Sequence, residues 1–238
     1  MPGSFKTEAV VLRSIRYGEA DRVLHLYTAA HGRVGAVAKG VRRVGSRLGG
    51  RIEPLSRVQL VMHRGRGELC TISQADTVHA HPALREHRES LERASQACEA
   101  VLRLLDSSEP NPPAYNLLCN ELSLLDADPK RACRAQALAF RMKLLLAAGF
   151  APELASCASC GDTEHLGGFS PSAGGVVCAS CEAGSFPLGE DAHRFLVEAL
   201  ALPLSEAPEA LDRALSQADR AVAETLEHHA HVRLRRVV

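Results

Sequence analysis

Residues 5–38 read FKTEAVVLRSIRYGEADRVLHLYTAAHGRVGAVA, three runs rich in Val, Leu, Ile and Thr that are interrupted near Gly18 and Gly32. Runs this short, bounded by glycine-bearing turns, predict strands over Phe5–Ile15, Asp21–Thr28 and Arg33–Ala38. Two further strands are expected at Leu55–His63 and Glu68–Ala75, the first carrying the partly alternating run Arg57-Val58-Gln59-Leu60-Val61-Met62. Five short strands in so little chain suit a closed or nearly closed barrel, because an open sheet of this size leaves edges to protect. An OB-fold fits best, with an SH3-like barrel behind it.

From residue 83 the period changes. Leu84, His87, Leu91, Ala94, Cys98, Val101 and Leu105 recur in steps of three and four, one stripe of an amphipathic helix. Pro110, Pro112 and Pro113 end it. A second helix is expected from about Ala114 to Leu125. A third is expected from Pro129 to Ala148, capped by Asp128 and stopped at Gly149. Its apolar residues face several directions, as in a buried central helix. Residues 150–189 contain ten glycines and prolines and too little apolar material to order themselves unaided. Helical periodicity returns at Asp191–Leu202 and from about Pro208 to Arg233, where His229 falls on the apolar stripe and reads as a core histidine. The expected fold is α+β: a five-stranded OB-fold barrel at 1–80, then an all-α domain at 81–238 with a zinc-binding loop inserted at about 150–189.

The chain of 238 residues has 28 basic and 28 acidic side chains, a formal net charge of zero. The zero is a cancellation. Residues 1–80 carry 13 Lys/Arg against 6 Asp/Glu, residues 81–150 nine of each, and residues 151–238 six against 13. A basic N-terminal part suits contact with phosphate. No apolar run reaches the roughly 18 residues of a membrane span, and no apolar signal-peptide core follows the N-terminus. The expected location is therefore cytoplasmic, with reduced thiols and no membrane partner.

Cys157-x2-Cys160-x17-Cys178-x2-Cys181 has the spacing of a four-cysteine zinc site. Two cysteines three apart on a tight turn can both reach one ion, and two such turns complete a tetrahedron. Gly161 and Gly174-Gly175 supply the torsions such turns need. Four thiolates close the coordination shell, so one structural zinc ion, fixing a loop that lacks a core, is the expected cofactor. The acidic flanks Glu153, Asp162, Glu164 and Glu182 argue against phosphate contact at this loop.

The segment Lys39-Gly40-Val41-Arg42-Arg43-Val44-Gly45-Ser46-Arg47-Leu48-Gly49-Gly50-Arg51 has five positive charges and no acid. It joins two predicted strands, its glycines are expected to keep it mobile, and its arginines can grip phosphate oxygens in pairs. Arg57, Arg64 and Arg66 extend the basic surface. Phe5, Tyr17 and Tyr27 are the aromatic residues of the first 80, so binding should lean on backbone charge and show little sequence preference. The histidines at 79, 81, 228, 229 and 231 have no carboxylate at zincin spacing. Phosphate-binding, dinucleotide-binding, nucleophile-elbow and zinc-deaminase motifs are all missing, so no enzymatic activity is expected. A zinc-stabilised protein-interaction scaffold without direct DNA binding is the alternative reading.

Tyr17-Gly18-Glu19, Asp21, Thr28, Gly32, Lys39-Gly40-x-Arg42-Arg43-x-x-Ser46-Arg47 and Glu53-Pro54-Leu55 resemble the N-terminal signature of the RecO family of bacterial recombination mediators. The cysteine insert between helices resembles that of its zinc-bearing members. The resemblance implies an OB-fold that binds single- and double-stranded DNA, anneals complementary strands and joins RecR in loading RecA on SSB-coated DNA. SSB, RecF and RecA are further implied partners, and association with the nucleoid during repair is implied with them. Carried over by position, Lys39, Arg42, Arg43 and Arg47 become DNA-contact residues, and Arg51, at the end of the same basic segment, is a further expected DNA contact. Cys157, Cys160, Cys178 and Cys181 become the zinc ligands.

Overall fold

The computed structural model describes residues 3–46, 48–65 and 67–237. Five strands close into a barrel: β1 (Ser4–Tyr17), β2 (Asp21–Thr28), β3 (Gly32–Ala38), β4 (Arg57–Arg64) and β5 (Cys70–His79). Their order around the barrel is β1-β2-β3-β5-β4, with β4 returning to β1 and the β3–β5 pair parallel. This is the OB arrangement that the glycine-punctuated runs predict. Val58, Leu60 and Met62 of β4 point inward, meeting Ala9, Val11, Leu24, Leu26, Val34 and Ala36. The predicted fourth strand begins two residues early. Leu55 has φ of 72°, and the chain turns there, with the Leu55 N–H donating to Val11 O at 2.8 Å and the Val11 N–H to Ser56 O at 3.0 Å.

One strand serves both neighbours that close the barrel. β1 pairs with β4 through Ser4–Val10 and with β2 through Ala9–Tyr17. A bulge between Val11 and Arg13 lets it bend. The bulge also reverses the facing of the second half of the strand: Val11 lies opposite inward Leu26, but Arg13 lies opposite His25.

By its contacts the chain divides into two compact units, one ending at Pro129 and the other beginning at Lys130. The first holds the barrel with α1 (Arg88–Leu104) and α2 (Pro112–Ala127). Asn111 caps α2 through a hydrogen bond from the Ala114 N–H at 3.0 Å, ahead of Pro112 and Pro113 in the first turn. A polar network ties α2 to the barrel wall: Glu8 Oε1 accepts from Arg57 Nε at 2.5 Å and from the Tyr115 hydroxyl at 2.7 Å. Burial alone would raise the Glu8 pKa, but these two hydrogen bonds outweigh it and hold the carboxyl below the usual carboxylate range.

The second unit is built on α3 (Arg134–Ala148), with α4 (Glu190–Ala201) and α5 (Asp212–His229) packed against it. Leu138, Ala139, Phe140, Met142, Leu144 and Leu145 are all buried, so α3 is the central helix its sequence predicts. It starts five residues later than expected, because Pro129–Arg131 forms a separate single 3-10 turn. Gly149 closes it in the left-handed conformation, φ 81°. The 150–189 segment is more ordered than its composition suggests. It forms a three-stranded sheet of β6 (Leu166–Ser170), β7 (Gly175–Cys178) and β8 (Phe186–Pro187), with β6 in the middle. Asp219 on α5 is buried beside Arg141 of α3 at 3.7 Å and accepts the Val237 N–H at 3.3 Å. Arg141 in turn donates to Arg235 O at 2.6 Å, which pins the last residues to the helices.

Two stability measurements test these networks. Tyr115→Phe is expected to cost about 1–2 kcal/mol in urea unfolding at neutral pH, a hydrogen bond to a half-buried charge. Because the folded-state pKa of Glu8 is depressed, the contribution of its ionised form is complete above the unfolded value, near pH 4.3, and is lost as pH falls through the folded value. The variant and wild type should therefore converge in acid. Asp219→Ala leaves a buried guanidinium without its carboxylate and is expected to cost about 3 kcal/mol or more by the same measurement.

Candidate nucleic-acid interface and metal centre

The basic segment between β3 and β4 is fastened at both ends. Val41 is buried in the barrel core with Ile52, and Leu48 packs against them. The Gly40 N–H donates to Asp21 Oδ1 at 2.7 Å, the Arg42 N–H to Ala20 O at 2.9 Å, and Arg42 Nη1 to Glu19 O at 3.0 Å. Two successive turns follow, Arg43 N–H to Gly40 O and Ser46 N–H to Arg43 O, with positive φ at Gly40 and Gly45. The glycines therefore serve turn geometry, and the mobility expected from them is replaced by anchoring to the β1–β2 turn. Lys39, Arg42 and Arg43 are exposed on this ledge, and Val44 at its tip is fully exposed.

The other expected cations divide. Arg47 and Arg66 lie outside the described residues. Arg51 is tied to β5, donating to Ala75 O at 2.9 Å and pairing with Asp76 at 3.3 Å. Arg57 does not extend the basic surface, because Glu8 neutralises it in the network under α2. Arg64 is exposed, 5.7 Å from the centre of the Phe5 ring.

The outer face of β1–β3 carries further candidates that the sequence did not single out. Arg13 lies opposite His25 and Ile15 opposite Val23, while His25 faces Gly35 and Val23 faces Val37 on β3. Arg33, two residues before Gly35, and Lys39, two beyond Val37, continue that alternation. Ile15 and Tyr17 are 41% and 60% exposed, so Tyr17 can offer a ring to a base, whereas Tyr27 is buried at 1%. Strict alternation from Ala9 and Val11 would turn Arg13, Ile15 and Tyr17 inward. The bulge, which leaves no mark in composition, turns them out.

In the second unit the two cysteine pairs converge. All four Sγ atoms lie within 4.8 Å of one another, and those of Cys160 and Cys178 are 3.7 Å apart. A tetrahedron with metal–sulfur bonds of about 2.3 Å has edges of about 3.8 Å, so the donor set fits a thiophilic divalent ion. The first knuckle is held by the Cys157 N–H to Asp162 O and the Gly161 N–H to Cys157 O, with Gly161 at φ 80°. The β6–β7 hairpin, turning through Gly174 at φ 83°, delivers Cys178, and a 3-10 turn brings round Cys181. Gly175 has a different reason to be glycine: a Cβ there would sit 2.2 Å from Glu153 O, in the bridge that pairs the two segments. Val177 is buried beneath, with Leu166 and Ala173 packed on it.

Cys157 and Cys178 are buried and Cys160 is exposed, and the acidic flanks Glu153, Asp162, Glu164 and Glu182 are exposed as well. The backbone N–H of Cys178 is the chief influence holding the Cys157 thiol down, to about 6. The hydrogen bond with the Cys160 thiol is the main one pushing Cys181 up, to about 12. A divalent cation among the four sulfurs would favour the thiolate form of its ligands. Cys178→Ser is expected to weaken Co²⁺ binding, read from tetrahedral thiolate absorption, by more than about 100-fold, beyond the usual cost of disturbing an outer-shell partner. Chelation should expose residues 151–189 to protease while the barrel keeps its amide protection.

The histidine groups have other partners. His81 is buried with Nδ1 2.9 Å from Leu55 O. His229 is not a core histidine: it is exposed, with Nε2 2.7 Å from Pro171 O. Among the described residues the four cysteines are the group with metal-binding geometry, and no helix is long and apolar enough to cross a membrane.

Residues 1–81 match the family described as Recombination protein O N terminal, and residues 85–236 match Recombination protein O C terminal. The chain is 40% identical over 232 residues to the DNA repair protein RecO of Rubrobacter xylanophilus, covering 94% of this chain and 92% of that one. It is 35% identical over 189 residues to the RecO of Cutibacterium acnes, covering 77% and 76%, and 39% over 183 residues to that of Pelotomaculum thermopropionicum, covering 75% and 69%. With a closed five-stranded barrel, a four-cysteine insert and both family segments matched in order, the chain belongs to the recombination protein O family.

Proposed function

We propose that this protein is a non-enzymatic DNA-binding mediator of recombinational repair. The observation that carries the reading is the ledge of Lys39, Arg42 and Arg43, exposed, free of carboxylates within its own segment and anchored to the barrel. That the relatives are named DNA repair proteins supports phosphate-bearing DNA as the ligand of such a ledge. Arg47 extends the same segment, and Arg51 adds a charge already shared with Asp76. The protein binds single and double strands through their backbones, anneals complementary strands and acts with RecR to help load RecA on SSB-coated DNA, with RecF as a further partner. Its work is stoichiometric, carried out in the cytoplasm at the nucleoid.

Cys157, Cys160, Cys178 and Cys181 would hold one zinc ion, which supplies a cross-link where residues 150–189 have little core of their own. Four thiolate ligands leave no open coordination position, so the ion's part is structural.

A strand-binding and annealing assay over a salt series tests the reading. Contact with about five phosphates predicts a log–log salt slope near −3.5 on single strands. Arg42→Glu with Arg43→Glu should remove two contacts, making the slope shallower by about 1.4 and lowering affinity at least about tenfold. A double variant that binds and anneals like wild type would overturn the assignment. Absence of binding by wild type at low salt would favour a protein-interaction scaffold instead.

A further inference from the structure

We propose that the outer face of β1–β3 holds a proton-linked phosphate site, in which Arg13, His25 and Arg33 grip one phosphodiester of a single DNA strand and His25 takes up a proton as it enters. The inference rests on the DNA-binding reading above and locates a second contact, separate from the ledge at 39–51. Three strands build it. Arg13 on β1 is directly opposite His25 on β2, and His25 is opposite Gly35 on β3, two residues from Arg33. Gly35 contributes no side chain to the row, and the Leu69 side chain lies over it, since a Cβ there would come within 2.6 Å of Leu69 Cδ2. Arg33 is oriented by donation from Nη1 to Leu102 O at 3.3 Å, and Arg13 is exposed. His25 is half-buried, and its ring nitrogens take no hydrogen-bond partner among the described residues.

Arg13 and Arg33 both act on the imidazole by their charge, and the row of Arg13, His25, Gly35 and Arg33 holds no carboxylate. Burial, then Arg33 and Arg13, hold the His25 pKa below its usual value, so the ring is neutral at neutral pH. A phosphodiester oxygen entering between the arginines cancels their repulsion and favours the imidazolium, which can then donate to it. The proton comes from solvent. Because the bound state holds one proton more than the free state, affinity must fall as pH rises through the interval between the two pKa values. Ile15, Val23 and Val37 in the next row along the face continue the track toward Tyr17 and Lys39.

The test is fluorescence anisotropy of a labelled oligothymidylate with the full chain, at constant ionic strength, from about pH 5.5 to about pH 8.5. Thymine does not titrate there, so any pH dependence belongs to the protein. Wild type should bind about tenfold more tightly at the acid end, with a slope approaching about one decade per pH unit. His25→Gln should give a flat profile at the weak, high-pH level. His25→Lys, which carries a fixed charge, should give a flat profile at the tight level, and it decides the matter if the Gln variant folds poorly. Arg42→Glu with Arg43→Glu should lower the whole curve without changing its shape. A flat wild-type profile, or a His25→Gln variant that keeps the wild-type slope, would overturn the site while leaving DNA binding in place. No binding at any pH would overturn the DNA-binding reading and this site together.

Discussion

Closure of the barrel rests on a single strand that cannot remain straight. β1 must satisfy β4 with its first half and β2 with its second, and the extra residue between Val11 and Arg13 is what permits the turn. That irregularity has two consequences beyond closure. It leaves β1 paired along its whole length, with β4 through Ser4–Val10 and with β2 through Ala9–Tyr17. It also exchanges the faces of β1, so that Ala9 and Val11 fill the core while Arg13, Ile15 and Tyr17 stand on the outer wall. The basic ledge depends on the same frame, because its anchors at Glu19, Ala20 and Asp21 lie in the β1–β2 turn and at the start of β2.

The charge of the first 80 residues is distributed unevenly. Arg57 with Glu8, Arg22 with Glu53 and Arg51 with Asp76 are joined in pairs, and each pair presents little net field to a ligand. The exposed Lys39, Arg42 and Arg43 form the ledge, and Arg13 stands apart on the sheet. Lys6, Arg16 and Arg64 are exposed elsewhere on the barrel, so a polyanion approaching it meets several basic positions, which favours contact along a backbone over base reading. In the second unit the acidic excess is mostly exposed, but Asp219 is buried, and its partners Arg141 and Arg236 set the path of the last residues.

The two bodies use different means to order polar, glycine-rich chain. Around Val41 the barrel core supplies the anchor, and hydrogen bonds to turn carbonyls complete it. Around Cys157 and Cys178 the buried apolar floor is small, centred on Val177, and the four thiols converge there in a geometry that could hold a metal ion. Much of this was legible in the residues. The strand positions, the central character of α3, the cysteine quartet and the exposure of Lys39, Arg42 and Arg43 all follow from periodicity, spacing and charge. The three-stranded sheet at 166–187 was not legible, because its strands are short and glycine-rich and draw their order from the cysteine cluster and from the bridge between Glu153 and Gly175. Nor was the role of His229, whose place on a helical stripe says nothing about where the helix ends and which residues lie beyond it.

Local chemistry therefore determined the barrel strands, the helices, the metal-binding spacing and the sign of the charge, since each depends on neighbours a few residues apart. Tertiary structure decided which cations remain available, because pairing joins residues far apart, such as Arg57 to Glu8. It decided that α1 and α2 cohere with the barrel, since a helical stripe shows that a helix is covered but not by what. It also decided the outward row of Arg13, His25 and Arg33. Alternation along a strand gives two faces but cannot say which is inside, and a one-residue bulge exchanges them.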